Sequence, residues 1–141
     1  MKRTTRGFTL IELMITLVIV AILAGIAVPS YRNYVLRSHR IEATAALLKV
    51  AAAQEKFYLQ NNTYTDNVGD VAGLGFSTTD DTDNFVTDNG WYTITVTDAD
   101  NEGFTLTAEA EGDQVNDTDC TDFTLESSGA KSASGDGCWK K

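Results

Sequence analysis

Apolar positions crowd the N-terminal part of the chain. From Phe8 to Val28 the only polar side chains are Thr9, Glu12 and Thr16, and no residue from Leu13 to Val28 is charged. Twenty-one residues at about 1.5 Å each give a helix of roughly 31 Å, close to the hydrocarbon thickness of a bilayer. Gly25 and Pro29 close this stretch. The proline ring faces the Gly25 carbonyl and offers it no N–H, so a bend or loosening is expected there. It is either a kink where the helix leaves the membrane or a weak point that unwinds when the helix changes environment.

The pattern then turns amphipathic. Residues 30–60 contain neither Pro nor Gly and are rich in Ala, Leu, Glu, Lys and Gln, which favours a continued helix. Ala43, Leu47, Val50, Ala51, Phe57 and Tyr58 fall on one side, and Glu42, Lys49 and Lys56 on the other. The apolar side is expected to pack on a head formed by residues 61–141. Turn-forming residues from Gln60 to Asp66 end the helix, and the stretch to Gly90 reads as an irregular loop. Beyond it the period changes to two. Trp91–Thr97 places Tyr92, Ile94 and Val96 on one face, and Phe104–Ala110 places Phe104, Leu106, Ala108 and Ala110 in phase with them. Asp98 to Gly103 joins the two runs as a hairpin, and Asp122–Glu126 is a third strand with Phe123 and Leu125 inward. The predicted fold is α+β: a long N-terminal helix packed on a small antiparallel sheet.

Charge divides the chain unevenly. Residues 1–58 carry eight Lys/Arg and three Asp/Glu, whereas residues 59–141 carry three Lys and seventeen Asp/Glu. So acidic a head repels its own kind and lacks the clustered cations that phosphate binding needs. No direct nucleic-acid partner is expected. Arg32, Arg37 and Arg40 lie just beyond the apolar stretch and read as solvated helix charges, with pairing to neighbouring subunits as the alternative. The single His39 has no evident metal partner and reads as a surface residue.

Catalytic and metal chemistry find no foothold. One histidine on a helix is far in sequence from the Ser-rich tail, and no glycine-rich phosphate loop occurs. No enzyme activity, cofactor or metal is expected. Asp98, Asp100, Glu102, Gly103 and Glu109 do match positions 1, 3, 5, 6 and 12 of a calcium-binding loop. Their flanks alternate as strands, however, which leaves Glu109 unable to close the loop. A looser calcium site at Asp98/Asp100 or at Asp80/Asp81/Asp83 is a minor alternative.

Lys2, Arg3 and Arg6 precede the apolar run, and Gly7 stands before it rather than after it. A cut after Gly7 therefore removes only a charged tip and leaves the apolar segment in place, unlike removal of a secretory signal. Gly7-Phe8-Thr9-Leu10-Ile11-Glu12, the seven-residue leader, Pro29 and Ser30-Tyr31 together resemble the N-terminus of type IV pilins and pseudopilins. The resemblance implies that residues 1–7 are a leader removed by a prepilin peptidase and that the new Phe8 amine is N-methylated. It further implies that residues 8–29 are a transmembrane helix half that becomes fibre core, and that Glu12 lies near the Phe8 amine of a neighbouring subunit. An ammonium and a carboxylate meeting in an apolar core neutralise each other, so the pair sets the depth of an incoming helix. The alternative is that Glu12 merely reaches the headgroups.

Cys120 and Cys138 follow, in a head expected on the oxidising side of a membrane. A bridge between them encloses seventeen residues, worth about 3 kcal/mol in the chain-entropy model. The arrangement resembles the disulfide-bounded C-terminal loop of type IV pilins, either a stabilising staple or a contact surface. The serine- and glycine-rich stretch inside it, Ser127–Gly137, reads as floppy without the bridge. Gln54-Glu55-Lys56-Phe57-Tyr58 and the Gln60–Tyr64 run resemble PilE-type minor pilins. The expected protein is thus a minor pilin subunit of a helical filament. Its partners are other pilin subunits, the prepilin peptidase, the inner-membrane assembly machinery and, before assembly, membrane lipid. Its head lies in the periplasm first and outside the cell later. Major pilin, type II secretion pseudopilin, and adhesive or DNA-uptake pilin are the alternatives.

Overall fold

A computed structural model describes residues 7–69, 73–76 and 84–140. The leader residues 1–6 and the acidic Asp80/Asp81/Asp83 group lie outside the described residues. The chain divides into two compact units, Met1–Val35 and Leu36–Lys141.

A single 52-residue helix, α1 (Leu10–Asn61), forms the N-terminal part of the fold. Thr9 starts it. Its hydroxyl accepts from the Glu12 amide at 3.3 Å, and its carbonyl accepts from the Leu13 amide at 3.2 Å. This satisfies one of the amides that a helix start leaves unpaired. Glu12 sits in the first turn, where a carboxylate opposes the positive end of the helix dipole. The helix continues through Pro29, so the disturbance expected between Gly25 and Pro29 does not break it. Asn62 ends the helix in a left-handed conformation (φ 55°) that asparagine tolerates better than most residues. By length and composition α1 is able to cross a membrane, and none of its apolar membrane-length stretch is buried.

The head carries a five-stranded antiparallel sheet whose spatial order follows the sequence: β1 (Phe85–Val86), β2 (Tyr92–Thr97), β3 (Thr105–Ala110), β4 (Asp122–Glu126) and β5 (Lys131–Ala133). Ile94 faces Ala108 across β2–β3, and Ala108 faces Phe123 across β3–β4. This register puts Tyr92, Ile94, Leu106, Ala108, Phe123 and Leu125 on one buried face. Ala43, Ala46, Leu47 and Val50 of α1 join them in one core, at spacings of three and four that keep one side of a helix inward. Each large apolar side chain so buried contributes about 1.5–3 kcal/mol. The opposite sheet face presents Thr95, Thr107, Thr124 and Ser132 in one row across four strands.

Two expectations require correction. Trp91 and Phe104 stand just outside the strands they were expected to begin. β1 lies inside the stretch read as an irregular loop. The Ser127–Gly137 segment, expected to be floppy only without the bridge, contains β5 in the bridged protein, paired with β4 through Phe123–Ala133 and Leu125–Lys131. Gln54, on no expected apolar face, is fully buried. Its amide holds the Thr65 backbone from both sides, donating to the carbonyl at 2.5 Å and accepting from the N–H at 3.1 Å. The chain leaving α1 is thereby tied back to the helix.

Cys120 and Cys138 are joined by a disulfide, and both are buried. The enclosed segment is organised by more than the bridge. Trp139 Nε1 donates to the Ser132 carbonyl at 2.7 Å, and Lys131 Nζ stands 5.1 Å from the centre of the Trp139 ring. Replacing both cysteines by serine should lower unfolding stability by about 3 kcal/mol, measured by denaturant titration of the full chain in detergent. The β4–β5 pairing should persist at low denaturant.

Candidate functional site

Two regions carry the candidate chemistry, one in each unit. In the N-terminal unit, Gly7 and Phe8 lie outside the helix, and Phe8 is 79% exposed. The expected scissile peptide is therefore non-helical and accessible, just before the first helical turn. Every residue from Gly7 to Tyr34 is exposed, including the apolar side chains of Leu10, Ile11, Leu13, Met14, Ile15, Leu17, Val18 and Ile19. Glu12 is the one ionisable side chain between Leu10 and Val28. A carboxylate on so long an apolar surface is costly in lipid, by about 3 kcal/mol at a bilayer centre. The chain thus displays one anionic position near the start of a helical stretch, residues 10–34, that buries nothing.

In the head, residues 36–42 of α1 are fastened by a polar cluster built around the 3-10 turn Gly112–Asn116, between β3 and β4. Gln114 is fully buried in it. Its side-chain nitrogen faces three acceptors: the Leu36 carbonyl at 3.1 Å, Tyr92 Oη at 2.9 Å and Asp117 Oδ2 at 3.2 Å. With the amide nitrogen on that side, Gln114 Oε1 faces His39 Nδ1 at 3.0 Å. The His39 ring stacks on Trp91, with centroids 4.3 Å apart and planes at 12°. Arg40 grips Asp117 with two parallel hydrogen bonds of 2.6 Å, and Asp117 is only 5% exposed. Removing one partner of such a pair strands a charge and typically costs about 3–5 kcal/mol.

These contacts correct two expectations. Arg40 is a half-buried ion-pair partner of the buried Asp117 rather than a solvated charge, and His39 is a half-buried stacking residue rather than a surface one. Arg32 and Arg37 are exposed, as expected. No sequence signal marks Gln114, because a buried glutamine is recognisable only by the partners that tertiary structure brings to it.

A second clamp lies one turn along the helix. Glu42 accepts from the Asn89 backbone N–H at 3.2 Å and from Asn89 Nδ2 at 2.8 Å. Burial alone raises the Glu42 pKa, but hydrogen bonds from Thr87 and Asn89 outweigh it and hold the carboxyl below its ordinary range. In the β2–β3 hairpin, Asp100 Oδ1 accepts from the amides of Glu102 and Gly103 at 2.7 and 3.0 Å. That carboxylate serves the turn. Glu109 lies on β3 opposite Thr93, at the far end of the hairpin from Asp98, so the calcium-loop spacing does not form a loop. Among the described residues no group of three or more His, Cys, Asp or Glu is placed to hold a metal ion.

Tyr92 reports on the cluster. Burial, reinforced by the Asp117 charge, pushes its hydroxyl from 10.0 up to about 12. The folded state therefore keeps a proton that the unfolded state loses first. This stability is complete below pH 10.0 and disappears as pH rises through about 12. A phenolate titration of the native protein should show a late component near pH 12. Tyr92→Phe should remove it. An unchanged late component in that variant would mean that another tyrosine is the buried one.

Comparison with known proteins agrees with this geometry. Residues 2–28 match the prokaryotic N-terminal methylation motif. Residues 29–124 match the family described as type IV minor pilin ComP, DNA uptake sequence receptor. The chain is 38% identical over 77 residues to the type IV wide pilus major component PilA4 of Thermus thermophilus, covering 55% of this chain and 59% of that protein. It is 41% identical over 66 residues to the type IV major pilin protein PilA of Myxococcus xanthus, covering 47% and 30%. It is 39% identical over 67 residues to the type IV major pilin protein PilE1 of Neisseria gonorrhoeae, covering 48% and 41%. The chain thus spans less than two thirds of the length of each of these relatives. With the two matched families covering residues 2–124, and a long apolar helix leading into a small disulfide-bridged antiparallel sheet, the chain belongs to the type IV pilin family.

Proposed function

We propose that the protein is a structural subunit of a type IV pilus, cut between Gly7 and Phe8, N-methylated at Phe8 and assembled through α1. The observation that carries this reading is the unburied apolar half of α1 with Glu12 in its first turn, placed directly within the methylation motif. A surface of that size needs a covering, by lipid before assembly and by the helices of other subunits afterwards. Glu12 then makes the exchange selective, because its charge is best compensated where the amine of a neighbouring Phe8 reaches it. Gly25 and Pro29 supply the place where α1 loosens during that transfer. The prepilin peptidase and the inner-membrane assembly machinery are the partners of this route. The head waits in the periplasm and ends on the filament exterior.

Within the family we favour a minor pilin that supports assembly. The match of residues 29–124 to a minor-pilin family supports this choice, whereas the named relatives are major pilins. The same match raises a second reading, a receptor for DNA. The charge of the head speaks against it: residues 59–141 hold seventeen acidic residues and three lysines, and DNA binding strengthens with each phosphate neutralised by Lys or Arg. Arg40, the most head-proximal arginine, is already paired with Asp117. No catalytic role is proposed.

Sheared filaments quantified by mass spectrometry test both levels. The mature chain should begin at a methylated Phe8 and be scarce relative to the main subunit, and Glu12→Ala should insert in the membrane yet fail to enter filaments. Abundance equal to the main subunit would reject the minor role. Normal incorporation of Glu12→Ala would reject the role given to that carboxylate.

A further inference from the structure

Asn89-Gly90 is the sole Asn-Gly pair in the chain, and it occupies the turn between β1 and β2. Both residues are exposed. Gly90 has a left-handed φ of 72°, and the space where its side chain would stand is open. Nothing therefore shields the Asn89 side chain from the following backbone nitrogen or from water and hydroxide. In such a pair the glycine nitrogen attacks the asparagine side-chain carbonyl more readily than in any other context, because no Cβ obstructs the approach.

Two restraints oppose that attack here. The Gly90 N–H donates to the Thr87 carbonyl at 2.8 Å, which holds the nucleophile in the turn. Asn89 donates twice to the Glu42 carboxylate, through its backbone N–H at 3.2 Å and through Nδ2 at 2.8 Å. The second bond fixes the side-chain torsion, and its carboxylate acceptor gives the departing nitrogen no proton. The same bonds, together with one from Thr87 to Glu42, join α1 to the β1–β2 turn, so the residue that is chemically weakest is part of the attachment.

We propose that Asn89 is a deamidation site restrained by Glu42, and that its conversion releases the β1–β2 turn from α1. In the reaction Gly90 loses its amide proton to hydroxide and its nitrogen bonds to Asn89 Cγ. The Cγ–Nδ2 bond breaks and ammonia leaves with a proton from water. Water then opens the cyclic imide to aspartate or iso-aspartate. No oxidation or reduction occurs. The product puts a second carboxylate against Glu42, where a donor stood. The side-chain hydrogen bond becomes a like-charge contact while the backbone N–H donor remains, and the repulsion favours separation of the two groups.

The test uses the full chain in detergent at mildly alkaline pH, with conversion at position 89 followed by peptide mapping. The native protein should deamidate about tenfold or more slowly than the same chain in guanidinium, the factor expected when a charge-assisted hydrogen bond must break to reach the reactive conformer. Glu42→Ala should approach the unfolded rate, and Glu42→Gln, which keeps one acceptor, should fall between. Near-ultraviolet circular dichroism checks that the variants remain folded. Equal rates in the native and unfolded wild-type chain, or a wild-type rate in folded Glu42→Ala, overturn the restraint. Asn89→Asp tests the release independently of the Glu42 variants. It should melt below wild type, with the deficit reduced by salt and by adding Glu42→Gln. Melting equal to wild type overturns the release.

Discussion

The apolar half of α1 has nothing among the described residues of its own chain to pack against. Every side chain from Phe8 to Val28 is exposed, and a contiguous apolar surface of that extent does not persist in water. The rest of the structure answers to this constraint. The exposed stretch is long enough for a bilayer and uniform enough for a packed helical core, and its one charge lies in the first turn rather than the middle. Lipid and other subunits are alternative coverings of the same surface. The function proposed for the family fold is the exchange of one for the other.

A helix committed to outside partners has to be held by its head through what remains. The second half of α1 gives Ala43, Ala46, Leu47 and Val50 to the core, but two of these are alanines and contribute little area. Directional contacts complete the attachment: Gln114 against the Leu36 carbonyl and His39, Arg40 against Asp117, Glu42 against Asn89, and Gln54 around Thr65. Spaced along the helix, they leave little freedom for it to slide or rotate on the sheet. A buried glutamine bonded on both ends and a two-pronged ion pair are specific because each is costly when misaligned. The disulfide acts at the opposite edge, closing β4 and β5 into the sheet. Apolar burial thus supplies cohesion, and the polar contacts fix which arrangement is adopted.

Much of this fold was legible in the sequence, for reasons that also explain what was not. β2, β3 and β4 alternate cleanly because one face of each is core and the other is water, and period two follows directly. Leu47 and Val50 were legible for the same reason at helical spacing. β1 and β5 have two and three residues, too few to show a period, and β5 consists of Lys, Ser and Ala, which have no strong preference for a strand. His39 and Arg40 were misread, and Gln54 and Gln114 gave no signal of burial at all. Each is polar and so resembles a surface residue, and each is buried or half-buried because a partner distant in sequence satisfies it. Local pattern carries no record of such partners. Gly7, Phe8 and Glu12 are the opposite case. Their spacing is a local signal, legible without any fold.

The central claim is that the Leu10–Val28 face of α1 is covered by other pilin subunits in the filament and by lipid before assembly. Single-cysteine variants along that face, such as Ile15→Cys and Val18→Cys, measure it directly when oxidised in membranes and in sheared pili. The account predicts intermolecular crosslinks in pili to a main subunit given a cysteine at the matching position, at positions that in membranes react only with lipid-soluble thiol reagents. Cysteines at these positions that stay uncrosslinked in pili and react with water-soluble reagents would contradict it.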